Sequence, residues 1–221
     1  MILTDKQILQ RMKKGTIKIV PFNPKALGPN SYDVCLGDTL AVYKNKKLDA
    51  AKHNKIKSFK IPKKGYMLKK GTFYLGVTKE YTETHCAVPF LDGKSSIGRL
   101  GIKIHLTAGK GDVAFCGNWT LEIEVAQDVR VYAGMAIGQL FYLPITGKVN
   151  NPYDKKKDAK YSHQAAVPVE SMMWKNKFFE EMRQPRAKKS GKGKKKSIKD
   201  MSLLEIDTIE TKHPPLIGNK K

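Results

Sequence analysis

The stretch WTLEIEV, residues 119–125, alternates apolar and polar side chains. A period of two is typical of a β-strand with one buried face. A second run, AIGQLFYL at residues 136–143, is rich in aliphatic and aromatic residues and predicts another buried strand. Shorter runs of the same kind, separated by turn residues, occupy residues 16–20, 32–36, 39–43 and 73–77. Together these runs predict an all-β body.

A short helix is predicted before the first strand, in MILTDKQILQRMKKG. Thr4 and Gln7 have the spacing of a capping box, and Leu3 and Ile8 that of a hydrophobic staple. Gly15 is the residue type that commonly ends a helix. We therefore expect one peripheral helix that packs on the main domain.

Near residue 168 the pattern changes again. Apolar residues recur at helical spacings over residues 170–182, which predicts a packing helix at 172–182 after a main domain at 1–171. The segment RQPRAKKSGKGKKKS that follows is too polar to build a core. We predict that residues 183–221 form a basic, flexible extension. Its role is left open between a solubilising or trimer-packing segment and an arm that tethers the protein to nucleic acid.

The chain of 221 residues carries a formal charge of +22, from 42 basic and 20 acidic residues. Residues 183–221 hold 12 of the basic and 4 of the acidic residues, so the main domain is basic too. Such a charge attracts polyanions, either nucleic acid or a small polyphosphate. Eleven lysines and one acidic residue fall within residues 44–70. This region is interpreted as a solvated hairpin or loop, with a nucleic-acid patch as the alternative.

The sequence has no apolar run of the roughly 20 residues that a membrane span needs, and its amino end does not resemble a secretory signal. Cys35, Cys86 and Cys116 are far apart and form no C-x-x-C pair, which is typical of small buried residues in a reducing compartment. We expect a cytoplasmic protein, no partner membrane and no zinc site built from these cysteines. The H-x-E and P-C-x-x-C motifs of zinc-dependent nucleobase deaminases are absent.

Residues 92–101, DGKSSIGRLG, concentrate the groups that bind a polyphosphate. Serine hydroxyls and turn amides donate hydrogen bonds, while Lys94 and Arg99 neutralise charge. The segment is not a Walker P-loop, because the first glycine would fall at Val88.

Two carboxylates follow in HLTAGKGDVAFCGNWTLEIEV, residues 105–125. Asp112 lies in a glycine-flanked loop, and Glu122 lies ten residues later in an apolar strand. Glu122 either faces water, as Glu124 of the same strand parity would, or points into a cleft where burial suits it to proton transfer.

These segments, in this order, resemble the dCTP deaminase family within the superfamily of trimeric dUTPases. The resemblance covers residues 1–171 and also includes MILTDKQI, PNSYDVCLGD, GMAIGQLFY and NPYDKKKDAKYSHQ. It implies a dUTPase-like distorted jelly-roll barrel (β-clip) with short peripheral helices. It also implies a homotrimer with sites at subunit interfaces, and Mg²⁺ bound through the nucleotide triphosphate rather than by protein side chains.

By the same resemblance, Glu122 is the catalytic glutamate that relays protons between a water and the cytosine ring. Arg99 is the essential arginine beside the reaction centre, and Asp112 holds the deoxyribose hydroxyl. The other substrate-binding residues it implies are Lys94, Ser95, Ser96, Gly98, His105, Thr107, Thr120, Leu121, Gln139, Tyr153, Lys160, Tyr161 and Gln164. His105 is equally well interpreted as a hydrogen-bonded core histidine. The implied function is hydrolytic deamination of dCTP to dUTP and ammonia, with dTTP as a feedback inhibitor.

The loop after Ala108 bears on whether the reaction stops at dUTP. Gly109 and Gln139 resemble the bifunctional members, which release dUMP and pyrophosphate, whereas Lys110 matches neither group. The bifunctional enzyme is therefore kept as an alternative. Two further alternatives are a plain dUTPase and a nucleic-acid-binding protein on an inactive fold of the same kind.

Overall fold

The computed structural model describes residues 1–183. The helices are α1 (Asp5–Lys13), α2 (Ser95–Gly98) and α3 (Lys177–Arg183). The strands are β1 (Ile17–Val20), β2 (Tyr32–Cys35), β3 (Thr39–Tyr43), β4 (Ile56–Lys60), β5 (Tyr66–Leu68), β6 (Tyr74–Thr84), β7 (Ala87–Gly93), β8 (Ile102–Lys103), β9 (Phe115–Val125), β10 (Val129–Val131) and β11 (Ala136–Pro144). The strands predicted from apolar alternation are all present, so the all-β prediction is confirmed.

The strands form three antiparallel sheets. The largest has the order β4-β3-β6-β9-β8, with β1 also pairing β6. A second sheet has the order β2-β11-β7, and β10 pairs β5 in a third. Aliphatic side chains from the two larger sheets, such as Leu40, Leu91, Leu121 and Leu140, are fully buried in one continuous core. The long strand β9 lies near the middle of the largest sheet, where it positions the candidate site.

The capping box of α1 is present as predicted. The Thr4 side chain accepts a hydrogen bond from the amide of Gln7, and the Gln7 side chain accepts one from the amide of Thr4. Leu3 and Ile8 are both buried against the main core. An N-terminal cap of this kind contributes on the order of 1 kcal/mol to helix stability.

The lysine-rich region forms the exposed hairpin of β3 and β4 and the turns that follow it, which confirms its interpretation as a solvated hairpin. The lysines of residues 44–70 are exposed, and β4 is the edge strand of its sheet. The nucleic-acid alternative for this surface stays a prediction.

The helix expected over residues 170–182 was predicted too long. Met173–Lys175 form a 3-10 turn, and the α-helix begins only at Lys177. The cause is local, because the Asn176 side chain accepts a hydrogen bond from the amide of Phe178 and caps a new helix there. No residue of α3 is buried. The compact unit comprises Met1–Glu180. Residues 184–221, and with them nearly all of the predicted basic extension, lie outside the described residues.

Among residues 1–183, no helix has the length and apolar character needed to cross a membrane.

Candidate active site

A cavity of about 340 Å³ opens against the middle of β9. Its wall combines strand residues from β3, β6 and β9 with the 108–112 loop and with residues 153–171. Seven of the residues predicted from the sequence line this cavity, namely Lys110, Asp112, Thr120, Glu122, Tyr153, Tyr161 and Gln164. The chain therefore brings its two candidate carboxylates, Asp112 and Glu122, into one pocket.

Glu122 faces the cavity rather than open water. It lies opposite Leu75 in the β6–β9 ladder, and its Oε2 accepts a hydrogen bond from the backbone amide of Leu106 at 3.0 Å. Glu124, two residues along the same strand, instead forms an ion pair with Lys103 at 3.6 Å, with about half of its side chain exposed. The interpretation that Glu122 points into a cleft is thus the one that the structure supports.

The 109–112 loop is pressed against β7 by backbone contacts. The amide of Leu91 donates to the carbonyl of Gly109 at 2.8 Å, and a Cβ on Gly109 would lie 2.5 Å from the carbonyl oxygen of Leu91. Only glycine fits at that separation. The loop then presents Lys110, whose Nζ lies 3.2 Å from Oδ1 of Asp112. An ammonium group and a carboxylate therefore lie side by side at the cavity wall.

His105 lies behind Glu122 and does not line the cavity. Burial lowers the pKa of His105, and the nearby carboxylates of Glu122 and Asp92 oppose that shift. Its buried Nε2 has no hydrogen-bond partner among the described residues. The hydrogen bond that a core histidine would make is therefore missing at Nε2, and the His105 ring lies beside Gly109 of the loop.

Residues 153–172, which we call the lid, close over the cavity of their own chain. Thr120 Oγ1 donates to Oε1 of Gln164 at 2.8 Å and accepts from the amide of Val169 at 3.1 Å. The amide of Tyr161 donates to the hydroxyl of Tyr153 at 3.0 Å. The lid is therefore attached to β9 close to Glu122.

The lid meets β9 most closely at Gly117. The backbone of Gln164 forms a parallel bridge with Gly117, and the amide of Asn118 donates to the carbonyl of Gln164 at 3.0 Å. Gly117 has φ +145°, and a Cβ there would lie 2.7 Å from the nitrogen of Gln164. A glycine at this position is what allows the lid to lie against the strand.

Sequence reasoning missed the residues that close the far end of the cavity. Tyr43 of β3 and Phe73 stack with centroids 6.4 Å apart, and the Tyr43 hydroxyl accepts from the amide of Ser171 at 3.1 Å. Glu170, also in the wall, lies 2.6 Å from Nε2 of His53. The Tyr43–Ser171 and His53–Glu170 contacts join residues more than a hundred positions apart, and no local motif signals them.

The remaining predicted residues lie outside the cavity within one chain. Ser95, Ser96, Gly98 and Arg99 are exposed on or beside α2, and Thr107 is exposed as well. Lys94 and Gln139 both contact the carboxylate of Asp33, Gln139 through a 3.0 Å hydrogen bond. Leu121 is fully buried in the core, and Lys160 is half-buried in the lid.

Comparison with known proteins gives this arrangement a family. A family model described as dCTP deaminase-like matches residues 2–144. The dCTP deaminase, dUMP-forming, of Leptospira biflexa is 51% identical over 150 residues, which are 68% of this chain and 86% of that protein. The enzyme of the same name from Cytophaga hutchinsonii is 46% identical over 167 residues, 76% of this chain and 94% of its own.

A solved structure agrees on the fold. The 2'-deoxycytidine 5'-triphosphate deaminase of Agrobacterium tumefaciens superposes with a TM-score of 0.53 at 19% identity, over 68% of this chain and 50% of that one. The predicted resemblance is confirmed, and the chain belongs to the dCTP deaminase-like family.

Proposed function

We propose that the protein is a bifunctional hydrolase that deaminates dCTP and then hydrolyses the resulting dUTP to dUMP and pyrophosphate. The observation that carries the proposal is that one cavity holds both Glu122 and Asp112, with a lid able to enclose a nucleotide. The names of the two curated relatives, dUMP-forming, favour this alternative over an enzyme that stops at dUTP.

Deamination needs a carboxylate that moves protons. Water adds to C4 of cytosine, and Glu122 takes one proton from that water and delivers it to the ring nitrogen N3. As the tetrahedral intermediate collapses, Glu122 takes the remaining proton from the C4 hydroxyl and passes it to the amino group. The C4–N bond then breaks, ammonia leaves, and C4 becomes a carbonyl carbon. The amide of Leu106 fixes one oxygen of Glu122, so the carboxylate is held ready for transfer.

Hydrolysis of dUTP needs water to attack the α-phosphorus while the bond to the bridging oxygen breaks and pyrophosphate leaves. Asp112 would serve this step or bind the sugar hydroxyl, a role supported by its position in the cavity wall. The ammonium of Lys110, 3.2 Å from Oδ1 of Asp112, places a positive charge at the cavity wall that attracts the triphosphate.

We also propose that the active form is a homotrimer. The exposed segment with Ser95, Ser96 and Arg99 carries phosphate-binding groups but lies outside the cavity of its own chain. A neighbouring subunit that inserts this segment would complete the site. The resemblance to trimeric dUTPases implies such an arrangement.

We expect Mg²⁺ to bind as a complex with the nucleotide triphosphate. Mg²⁺ keeps several waters and commonly binds through substrate phosphates. The donor set fits that mode, because Asp112 is already ion-paired with Lys110. Bound Mg²⁺ would neutralise part of the triphosphate charge.

We further expect dTTP, which shares the sugar and the triphosphate with the substrates, to compete for the pocket. We also expect the enzyme to act in the cytoplasm.

The test is to incubate the purified protein with Mg²⁺ and either dCTP or dUTP, and to separate the products by chromatography. Conversion of both substrates to dUMP supports the proposal. Accumulation of dUTP from dCTP would restrict the enzyme to deamination, and consumption of dUTP alone would make it a dUTPase. No turnover of either, with salt-sensitive DNA binding, would favour an inactive fold that binds nucleic acid. In Asp112→Asn, we expect loss of dUMP formation from dUTP.

A further inference from the structure

Away from the cavity, three potential metal ligands converge at the end of the β6–β9 ladder. Glu83 of β6 is directly opposite Cys116 of β9, and His85 follows two residues after Glu83. Side chains of directly opposed residues in an antiparallel pair lie on the same face, which holds for Glu83 and Cys116, and His85 lies one residue beyond the end of β6. One ligand atom from each residue lies within 4.8 Å of the other two.

The Glu83 carboxylate divides its two oxygens between different partners. Oε1 accepts from Nζ of Lys18 at 3.1 Å, whereas Oε2 lies 3.4 Å from Nε2 of His85. Two ligand atoms on a tetrahedral zinc ion, each about 2.0 Å from the metal, are about 3.3 Å apart. Oε2 and Nε2 therefore already have the separation of two ligands on one zinc ion.

We propose that Glu83, His85 and Cys116 bind a Zn²⁺ ion. A thiolate, an imidazole and a carboxylate form a donor set that suits zinc, which takes four ligands in a tetrahedron. Three protein ligands leave the fourth position to water. Of the three ligands, His85 also lines a separate cavity of about 550 Å³, together with Ala114 and Asp154. The inference departs from the sequence expectation, which looked for zinc only in closely spaced cysteines.

The thiol must lose its proton to bind zinc. Burial, with a contribution from the Glu83 carboxylate, raises the pKa of Cys116 to about 11. Without metal the thiol is therefore neutral at pH 7. A bound dication lowers the pKa of a thiol that coordinates it, so that the sulfur binds as a thiolate. Zinc binding should accordingly release a proton and strengthen as the pH rises.

The bound ion would stiffen a segment next to the lid. The carbonyl of Cys116 accepts from the amide of His163 at 2.7 Å, and the amide of Ala114 donates to the carbonyl of Thr84 at 2.6 Å. A metal ion bound between β6 and β9 at this point would stabilise the end of β9, to which the lid is bonded through His163.

The experiment uses the full chain, free of an affinity tag and stripped of metal with a chelator. Co²⁺ is the probe, because it substitutes for zinc and reports a sulfur ligand through a thiolate-to-cobalt absorption band. We expect one equivalent of Co²⁺ to bind with that band, and Zn²⁺ to displace it. Zn²⁺ should also raise the Tm, by an amount that grows with the logarithm of its free concentration above the Kd.

Matched variants assign the ligands. Cys116→Ser should abolish the thiolate band, while Cys86→Ser, on a neighbouring but unassigned cysteine, should keep it. His85→Ala should weaken Zn²⁺ binding by about 100-fold or more, given that loss of even an outer partner costs about 10- to 100-fold. Lys18→Met should tighten binding, because it removes a competing cation from Glu83. Absence of the band in the unaltered protein, or its persistence in Cys116→Ser, would overturn the proposal.

Discussion

Oε2 of Glu122 lies 3.0 Å from the amide nitrogen of Leu106, which donates a hydrogen bond to it. The bond joins β9 to the loop that carries Thr107, Gly109 and Lys110. The orientation of the carboxylate therefore depends on the backbone of that loop. A substitution in the loop is therefore expected to change the orientation of Glu122, and with it the rate of deamination, even where the substituted residue does not contact the nucleotide.

Glu122→Gln should remove ammonia release from dCTP while nucleotide binding persists, because the amide keeps an oxygen for Leu106 but cannot relay protons. The loss in kcat should be about 10²- to 10⁴-fold, the usual contribution of general acid–base catalysis. Steady-state release of ammonia measures it. Glu124→Gln, on the same strand but ion-paired with Lys103, is the control and should stay active. Full activity in Glu122→Gln would refute the assignment.

Gly109→Ala should destabilise the protein, because the new Cβ would meet the carbonyl oxygen of Leu91 at 2.5 Å. Overpacking of this kind typically costs about 1–3 kcal/mol. The free energy of unfolding, from denaturant titration, measures the effect, and deamination should fall as the loop shifts. Gly93→Ala serves as control, since its Cβ would meet no atom within 4 Å. Equal stabilities of the two variants would contradict the close approach.

Thr120→Val should loosen the lid. The substitution leaves the amide of Val169 and the side chain of Gln164 without the Thr120 hydroxyl, and a buried unpaired group costs about 1–3 kcal/mol. We expect KM to rise more than kcat falls, with faster proteolysis within residues 153–172. Ser58→Ala, on the exposed edge strand β4, should change neither quantity. A lid as resistant to protease as the unaltered one would count against this role.

Lys110→Met should weaken substrate binding with little change in the stability of the fold. The Lys110–Asp112 pair is more than half exposed, so its loss should change the free energy of unfolding by less than about 1 kcal/mol. The KM for both triphosphates should nevertheless rise, because a cation at the cavity wall is gone. Lys110→Arg keeps the charge and should retain most of the affinity. An unchanged KM in Lys110→Met would show that the ammonium takes no part in binding.

The stability should fall below about pH 6.5, partly through His105. Burial lowers the pKa of His105 in the folded protein, so its stabilising contribution is complete above the unfolded pKa of about 6.5. That contribution is lost as the pH falls toward the folded pKa, because the unfolded state then binds the proton more readily. Tm measured from pH 8 to pH 5 should drop less in His105→Gln than in the unaltered protein. Equal pH slopes of Tm in His105→Gln and in the unaltered protein would contradict this contribution.

Local patterns predicted most of the strands and the first helix. The alternation at residues 119–125 and the Thr4–Gln7 capping box depend on neighbours a few residues apart, which a sequence displays directly. The predicted start of the helix at residue 172 was wrong because the side chain of Asn176 caps a new helix, which apolar spacing alone does not reveal. The wall formed by Tyr43 and Ser171 depends on a contact between distant segments.

The site was only partly predictable for a related reason. Spacing and resemblance together placed Glu122 and Asp112 correctly in one pocket. They did not show that Arg99 lies outside the pocket of its own chain, because the order of motifs along a sequence carries no information on the distances between them in the fold. The His53–Glu170 contact was equally hidden, since neither residue belongs to a motif.

Strand β9 carries Glu122 and Thr120 in one register with β6 and, beyond a register shift between Val77 and Tyr81 of β6, the close approach at Gly117. Shifting a strand by a single residue turns every side chain to the opposite face. Insertions or deletions within β9 should therefore be purged in descendants of this gene, whereas the exposed turn between β3 and β4 can gain or lose residues freely. Differences in length between related sequences should therefore accumulate at that turn. The length of β9 should stay constant, so related sequences can be aligned on it.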